Sequence, residues 1–503
     1  MIRCAGAVTE RAKANELGQS LVRGFTTLVL LLPLSSCAFQ SYQASDLDPE
    51  IVAKLLSERR TALSLLRQEQ SRDQAGALSF AEAADLLRTR SPALGQALTR
   101  YRSAVIRAGI KTPFPNPEIE FGPERGFAAD LASPRWSGFF SFSWALPLSG
   151  RRGDLDSVHA AQAEAAAIDA VGTLRELYLE LRHRYLHFLV ASEREQVRAR
   201  LRDAAALSLR TALGLVEAGT ATALQTSLFR LEHARERTRL LDARSERQKA
   251  QSELAQLLAV QAELLQAPAL SSAVKGPKLS NPGAIERKLL EAWIIDHPQL
   301  QRLRAEYEIA ERQLRLEISK QYPDLVLGSG LSSETGDKKR VLGLSLGIAV
   351  PIFDQNQVGI AEARAQRQEL RSQYEALVHS ILAKAELAAK QLTLHREKRR
   401  ILEKEVLAAA RDNVSIARQS LEAGSAGSME LLDAERSLRE IEAELLEARL
   451  EELEAGAELE QALGRPLLQL AGESSLEDSK WSDAEELNKA AEREKTAEGR
   501  SER

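Results

Sequence analysis

The chain has 503 residues, of which 28% are charged and only 5% are aromatic, and its formal net charge is −4 at pH 7. A single compact core would hold more aromatic bulk, and the long Ala-, Leu-, Glu- and Arg-rich stretches are typical of long helices and coiled coils. Lys and Arg alternate with Asp and Glu along these stretches, which predicts solvated helix faces and excludes a phosphate-binding stripe. Nucleic acid is therefore not among the expected partners.

The N-terminal segment has the pattern of an export signal. Basic residues precede the short apolar run FTTLVLLLPL, which ends at Ser35-Ser36-Cys37 and is too brief to span a membrane as a mature helix. The sequence LSSC resembles the lipobox of bacterial lipoproteins, in which the cysteine becomes the lipidated first residue. A plain signal peptide with an incidental Cys37 is the alternative. We expect a signal peptide over 1–36 and a lipid-anchored periplasmic segment over 37–79.

The cysteine count excludes several kinds of site. Only Cys4 and Cys37 are present, and neither is expected as a free thiol in the processed chain, so a disulfide framework, a Cys-based zinc site and a Cys nucleophile are excluded. No segment after the signal offers about 18 uninterrupted apolar residues, the length that a membrane helix needs. Any membrane crossing is therefore expected to use β-strands.

Four landmarks occur twice along the chain, and each pair is separated by 204 to 206 residues. The pairs are Ser91-Pro92 with His297-Pro298, NPEIEFG at Pro117 with YPDLVLG at Pro323, ALPLSG at Pro147 with AVPIFD at Pro351, and VEAGTA at Gly219 with LEAGSA at Gly424. This regularity indicates a tandem duplication. We predict repeat 1 over 80–266, a Pro-, Gly- and Ser-rich linker over 267–283, repeat 2 over 284–466, and a polar disordered tail over 467–503.

Each repeat is predicted to contain two strands, at about 116–126 and 135–147 in the first and at about 323–332 and 339–351 in the second. Small or polar residues alternate with large apolar ones, Phe139 being an exception. The predicted lipid-facing residues are Trp136, Phe140, Phe142, Trp144, Leu342, Leu344 and Leu346. This alternation is typical of membrane-barrel strands, with Trp136 and Trp144 near the strand ends where an aromatic girdle lies. A strand of a soluble sandwich has the same local pattern and is the alternative.

Four strands are too few to close a barrel, because the smallest single-chain membrane barrels have about eight. An open sheet edge in lipid leaves unpaired backbone groups, which cost several kcal/mol each. We therefore expect the chain to oligomerise, and strand number alone allows a dimer or a trimer.

Long helices are predicted over Gly153–Val216 and Val358–Glu422, each of which ends at a glycine turn, Gly219 or Gly424. A glycine tolerates φ > 0 at a helix C-terminus, so these turns are the predicted distal tips of two helical hairpins. A coiled-coil seam is formed by apolar residues at spacings of three and four, namely Leu174, Leu177, Leu181, Tyr185 and Phe188. The pattern continues in the return helices at Leu224, Leu228 and Leu231 and at Leu438, Ile441 and Leu445.

Residues that would carry catalysis or bind a metal are sparse. His183 and His187 lie one turn apart on one helix, but no third ligand has a compatible spacing, so a solvated helix surface is the interpretation that we favour. The sequence contains no Gly-rich phosphate loop, no HExxH motif and no GxSxG motif in a strand–turn–helix setting. We expect no enzymatic activity, no cofactor and no bound metal.

Taken together, the duplicated helix–hairpin–helix plan, the two strand pairs and the turns LVEAGTATALQ and LEAGSAGSMELLDA resemble the TolC-like outer-membrane efflux protein family. The resemblance implies a mostly α fold with a small β-barrel contribution, built as a homotrimeric α/β barrel with long periplasmic helical hairpins. It also implies a location in outer-membrane lipid with extension into the periplasm. The implied partners are a periplasmic adaptor (membrane fusion protein) and an inner-membrane pump of the proton-driven RND type.

The runs PLSGRRG at Pro147 and PIFDQNQ at Pro351 resemble the heavy-metal (cobalt–zinc–cadmium) resistance branch of that family. This resemblance implies a passive exit duct for heavy-metal cations. Drug efflux or type I protein secretion through the same duct is one alternative. A soluble periplasmic coiled-coil adaptor or scaffold is an alternative of another class.

The resemblance also implies a pore constriction at the second hairpin tip. In this chain Glu430 and Asp433 match the family's acidic tip residues, whereas the corresponding residues of repeat 1, Gln225 and Leu228, are neutral. Three copies would place six carboxylates around one axis, an arrangement that attracts cations and repels anions. An acidic first helical turn that simply favours the helix dipole is the alternative.

Overall fold

The computed structural model describes residues 51–69, 76–126, 135–218, 222–277, 293–334, 339–423, 425 and 427–470. The predicted signal peptide, Cys37, the turn residues Gly219 and Gly424, and the chain beyond 470 lie outside these ranges. Two compact units are distinguished, Met1–Glu58 and Arg59–Arg503. Of the first unit only the start of helix α1 (Ile51–Glu69) is described, and the second unit contains the remaining elements.

The long described helices of the second unit follow the predicted duplication, and the short helical segments Ala262–Leu264 and Leu270–Ala273 are not part of that plan. Repeat 1 contains α2 (Phe80–Arg90), α3 (Pro92–Gly109), α4 (Arg151–Glu217) and α5 (Ala223–Leu258), and repeat 2 contains α6 (Pro298–Ser319), α7 (Gln357–Ile401), α8 (Leu407–Glu422) and α9 (Ser428–Leu463). Helix α4 has 67 residues, about 100 Å at 1.5 Å per residue. Its counterpart is interrupted by the π-helical segment Leu402–Val406, which separates α7 from α8.

The Ser-Pro and His-Pro landmarks are helix starts. Ser91 caps α3 by accepting a hydrogen bond from the backbone N–H of Leu94, and Pro92 occupies the first helical turn. His297 caps α6 in the same way by accepting from the N–H of Gln299, and Pro298 follows. A capping side chain satisfies a backbone donor that the helix leaves unpaired, and proline suits the first turn because it lacks that donor.

The strands are β1 (Glu118–Gly126), β2 (Arg135–Pro147), β3 (Val274–Pro277), β4 (Asp324–Glu334), β5 (Lys339–Ile348) and β6 (Leu468–Leu470). Four of them form one antiparallel sheet in the order β1-β2-β4-β5. The central pair, β2 with β4, joins the two repeats, with Pro147 opposite Asp324 at one end and Ser137 opposite Glu334 at the other. The edges of the sheet are β1, from repeat 1, and β5, from repeat 2.

A second sheet, which the sequence analysis missed, pairs β3 with β6. Part of the predicted linker therefore forms a strand, and the predicted tail begins with one, so that Leu468 and Leu470 are buried. Strands of four and three residues are too short to show a periodicity, and each exists only because the other pairs with it. Chain segments about 190 residues apart in sequence are joined in this way.

The main core lies where α4 meets α2, α5 and the second sheet. All five predicted seam residues of α4 are buried, and their cluster includes residues of the segment before α4 as well as residues of its return helix. Phe80 lies edge-on to Tyr185, with ring centroids 5.5 Å apart, and the Tyr185 hydroxyl donates to the carbonyl of Leu78. Burial raises the pKa of Tyr185 and keeps it a neutral donor.

An ion pair inside this core ties the repeats together. Arg182 is fully buried, and its guanidinium donates to both carboxylate oxygens of Glu460 on α9 and to the carbonyl of Leu468. Glu460 also accepts the backbone N–H groups of Leu467 and Leu468. Because each charge is paired and hydrogen-bonded, burial is tolerated, and the pair specifies how the end of repeat 2 lies against repeat 1.

The return helices differ in how well they continue the seam. In repeat 2, Leu445 is buried with Leu402, Leu407 and Ala448, and Leu438 and Ile441 pack against this cluster. In repeat 1, Leu224, Leu228 and Leu231 are exposed, so the prediction that they continue the buried seam is wrong for the single chain. Among the described residues, no helix has an apolar stretch long enough to cross a membrane.

Candidate functional site

The strand register collects the large apolar side chains of the four-stranded sheet on one face. Directly opposite residues on neighbouring strands share a face, and four rows result. The rows are Phe121, Phe140, Leu331 and Leu342; Ile119, Phe142, Ser329 and Leu344; Trp144, Leu327 and Leu346; and Leu146, Leu325 and Ile348. Phe121 is 79% exposed and Leu344 is 84% exposed. No described helix covers this face, so its apolar side chains face outward.

The opposite face of the same sheet is small and polar. Its first rows are Glu118, Ser143, Gly328 and Ser345, then Glu120, Ser141, Gly330 and Gly343. The Ser143 hydroxyl lies 3.4 Å from a carboxylate oxygen of Glu118. A Cβ at Gly328 would lie 2.3 Å from the Ser345 hydroxyl oxygen, so the backbone there is covered by a serine rather than by a larger chain. Val326 and Val341 also lie on this face, so the sheet has one strongly apolar surface and one surface of mostly small and polar residues.

Phe139, the exception in the alternation, lies on the polar face with a specific partner. A Cβ at Gly122 would lie only 2.8 Å from the Phe139 ring, and the two residues are directly opposite on β1 and β2. The ring therefore fills the space above a strand glycine. This packing could not be read from one strand alone, because the glycine and the phenylalanine belong to different strands.

Trp144 lies on the apolar face close to the helix end of β2. Its indole N–H donates to the carbonyl of Pro115 at 2.9 Å, and its ring lies edge-on to Phe114. The Arg152 guanidinium lies 3.5 Å above the Phe114 ring. An aromatic body with a satisfied polar tip suits a boundary between an apolar and an aqueous region. The backbone of Trp136 pairs with Arg125 near the other end of β2, but its side chain lies outside the described part.

At the second hairpin tip, the structure describes the helix ends on both sides of Gly424. Helix α8 ends at Glu422, and α9 begins at Ser428 with Glu430 in its first turn. Glu430 and Asp433 are both exposed. Asp433 forms an ion pair of 3.0 Å with Arg436 on the same helix, which screens part of its charge. The two predicted constriction residues thus share one helix face near the tip.

Sequence analysis missed how far the acidic character of this helix extends. Helix α9 carries 12 Asp and Glu against three Arg, whereas the return helix of repeat 1, α5, carries five acidic against seven basic residues. Many of the α9 acids recur at spacings of three and four on one exposed or half-buried face. These residues, the acidic stripe, are Glu430, Asp433, Glu440, Glu444, Glu447, Glu451, Glu454 and Glu458. A count by repeat would have found this difference.

Part of the acidic stripe lies in a charge network between the two hairpins. Arg194 of α4 contacts Glu246 of α5 at 2.8 Å and Glu447 of α9 at 2.5 Å, and Glu454 lies 4.0 Å away. Burial raises the pKa of Glu454, and the neighbouring carboxylates add to the increase against the opposing effect of Arg194. The network joins the hairpins, and its carboxylates outnumber its arginine.

His183 and His187 do not form a metal site with other described residues. Their rings are stacked with centroids 6.5 Å apart, and among the residues that the structure describes no group of three His, Cys, Asp or Glu is placed to hold a metal. Burial, with a further contribution from His187, lowers the pKa of His183. The pair lies between helices. The sequence analysis had instead predicted a solvated helix surface.

Residues 289–465 match the sequence model of the family described as "Outer membrane efflux protein". Over these residues, the chain is similar to the outer-membrane efflux protein family. This confirms the resemblance that the duplicated plan had predicted, and the mostly helical fold with a small antiparallel sheet agrees with it. The family match covers repeat 2, and the structure extends the same plan to repeat 1.

Individual proteins are similar to the chain over more of its length. The chain is 24% identical over 351 residues to the cobalt-zinc-cadmium resistance protein CzcC of Cupriavidus metallidurans, covering 70% of this chain and 81% of that protein. Its fold is similar to that of CusC, with a TM-score of 0.60 at 16% identity over 77% of this chain and 92% of the other. It is also similar to the outer-membrane channel OprN, with a TM-score of 0.61 at 17% identity over 86% and 99%.

Proposed function

We propose that the chain is the protomer of an outer-membrane efflux channel, a passive exit duct for substrates delivered by an inner-membrane pump through a periplasmic adaptor. The observation that carries the proposal is the two-faced sheet, whose exposed apolar rows on one side and small polar rows on the other suit a wall between lipid and water. The similarity to the efflux family, to CusC and to OprN supports it. The chain performs no chemistry in this role, and energy comes from the pump.

The channel is completed by three copies. The sheet ends in two unpaired edges, β1 and β5, which belong to different repeats. In lipid each unpaired backbone group is costly, and pairing β1 of one copy with β5 of the next removes both edges. Three copies bring the strand number to twelve, above the minimum of about eight for a closed membrane barrel. We further propose that the processed chain is anchored to lipid at Cys37.

Heavy-metal cations are the proposed cargo. The support is the similarity to the cobalt-zinc-cadmium resistance protein CzcC together with the excess of acidic groups on α9. A duct whose narrowest part is acidic concentrates cations and repels anions. Drug export remains the second candidate, because the fold is equally similar to OprN and a wide duct selects its substrates weakly.

Glu430 and Asp433 are the proposed constriction of the channel. Replacing both by alanine (E430A/D433A) removes two carboxylates from each copy, so we expect a higher single-channel conductance in planar bilayers and loss of block by multivalent cations. The matched control is Q225A/L228A, which alters the equivalent positions of repeat 1 without changing charge. Currents of E430A/D433A that match those of the unaltered protein would remove the constriction from the proposal.

A further inference from the structure

A cavity of about 290 Å³ lies between the two helical hairpins, where α4 and α5 of repeat 1 meet α9 of repeat 2. A single water needs only roughly 10 to 15 Å³, so the cavity has room for a small organic molecule. Much of the remaining wall is formed by arginine and glutamate side chains. The apolar part of the wall consists of Leu201, Ala204, Ala205, Phe229 and Ala443.

A buried carboxylate in this cavity has an oxygen without a hydrogen bond. Glu236 on α5 lines the cavity and is only 5% exposed. One of its oxygens accepts from Arg239, whereas Oε2 accepts from no described residue, and the Arg198 guanidinium lies 3.9 Å from it. An acceptor left unsatisfied in a buried position is costly. This oxygen therefore points to a ligand that supplies an N–H donor.

The arginines of the cavity already have acceptors. The Nε of Arg436 is buried without a hydrogen bond, but another nitrogen of this guanidinium contacts a carboxylate. An anion would have to compete with the existing acceptors for these groups. The pairs are Arg198 and Arg239 with Glu236, Arg436 with Asp433, and Arg439 with Ser208.

Two carboxylates at the cavity remain available for a ligand. Glu440 and Glu444 on α9 line the cavity and are exposed, and neither forms an ion pair with a residue that the structure describes. A hydrogen bond with Glu236, together with the charges of Glu232 and Glu440, raises the pKa of Arg239, so Glu440 acts on that guanidinium at longer range only. The charge that the cavity can offer to a ligand is therefore negative.

We propose that the cavity binds an aliphatic polyamine, with one ammonium group at the buried Glu236, another at Glu440 and Glu444, and the methylene chain against the apolar wall. Charge-assisted N–H donors match the carboxylates, and the alkyl part matches Leu201 and Phe229. A metal ion fits less well, because within the described chain no three His, Cys, Asp or Glu residues are placed to hold one.

The bound polyamine contacts both hairpins and holds them together. A ligand that binds only the folded state also raises the denaturation midpoint. The site is separate from the proposed constriction, since neither Glu430 nor Asp433 lines the cavity, and it does not depend on the channel function.

The test is calorimetric titration of spermidine into the full chain in detergent, with Mg²⁺ and inorganic phosphate as comparison ligands at equal ionic strength. Glu236→Gln keeps the size of the buried side chain and removes its charge. Ala443→Leu narrows the cavity without changing any charge, so the test survives if the first variant misfolds. Glu442→Gln on another face of α9 is the matched control, and E430A/D433A reports binding at the hairpin tip.

We expect Glu236→Gln to weaken spermidine binding about tenfold, because a charge-assisted hydrogen bond is lost. Ala443→Leu should weaken it at least as much, while Glu442→Gln and E430A/D433A bind like the unaltered chain. Unchanged affinity in either folded cavity variant overturns the site, as does loss of binding in E430A/D433A. Absence of spermidine binding, or binding of Mg²⁺ or phosphate at least as tight, also overturns it. The conductance of E430A/D433A tests the channel separately.

Discussion

His297 combines a capping role with a buried, titratable ring. It caps α6, is only 6% exposed, and lies against Gly464, where a Cβ would come within 2.9 Å of the imidazole. Gly464 has φ +66, a conformation that glycine adopts without strain. Burial, with a smaller contribution from Lys384, lowers the pKa of His297 to about 4. The neutral ring is the form that the folded chain accommodates.

The pH dependence of stability follows from this residue. Its folded pKa lies below the ordinary value of 6.5, so the folded state binds fewer protons than the unfolded state between these values. Stability is complete above pH 6.5 and falls as pH decreases toward 4, by up to about 3 kcal/mol. His297→Asn retains a capping oxygen. We expect its denaturation midpoint to depend less on pH over this range than that of the unaltered protein. The exposed His379→Asn is the control, and an unchanged slope in His297→Asn would contradict the assignment.

At the scale of the elements, the two return helices show how a duplicated sequence diverges in function while its backbone plan is kept. Helices α5 and α9 both have 36 residues and occupy equivalent places in their hairpins. At the positions of Glu440 and Glu444 in α9, α5 has Arg235 and Arg239. Exposed faces tolerate such changes because a charge in water costs little stability.

The acidic stripe is expected to contribute to ion selectivity beyond the tip. Neutralising two members in E440Q/E444Q should lower the cation-over-anion permeability ratio, measured from reversal potentials in planar bilayers under a salt gradient. The effect should be smaller than that of E430A/D433A, because a charge acts less strongly where the channel is wider. Glu442→Gln removes an exposed carboxylate from another face of α9 and is the control. Equal ratios for E440Q/E444Q and Glu442→Gln would argue against the stripe.

At the scale of the whole molecule, the duplication is completed by contacts that cross between the repeats. The β2–β4 pair unites the strands of the two halves in one sheet, Arg182 and Glu460 join their helices, and β3 with β6 joins the linker to the chain end. Arg151 of repeat 1 also pairs with Asp324 of repeat 2 at 2.6 Å. Each repeat therefore contributes only part of the four-stranded sheet and part of the main core.

Membrane residence of the assembled protein is expected to depend on one face of the sheet. A lysine on a lipid-facing strand costs roughly 2 to 4 kcal/mol near the bilayer midplane, so Leu344→Lys should reduce outer-membrane recovery of the protein. It should also fail to restore a deletion strain to tolerance of cobalt, zinc and cadmium or, if drugs are the cargo, of a drug panel. Ser345→Lys places the same charge on the opposite face and should be tolerated. Similar behaviour of the two variants would contradict the assignment of faces.

Repetition, helix starts and strand alternation were readable from the sequence because each is a local or periodic property. Ser91-Pro92 and His297-Pro298 mark helix starts by their own chemistry, and the bounds of β2 were predicted to the residue. The exposure of Leu224, Leu228 and Leu231 was not readable, since a stripe of leucines has the same pattern whether or not a partner covers it.

The sequence by itself therefore determined the duplicated plan, the two-sided strands and the resemblance to the outer-membrane efflux protein family. Only the tertiary structure decided which faces stay uncovered, which strands form the edges, and which distant residues meet, such as Arg182 with Glu460 and Gly122 with Phe139. The physical reason is that periodicity reports the chemistry of a face, whereas its partner depends on pairing between segments far apart in the chain.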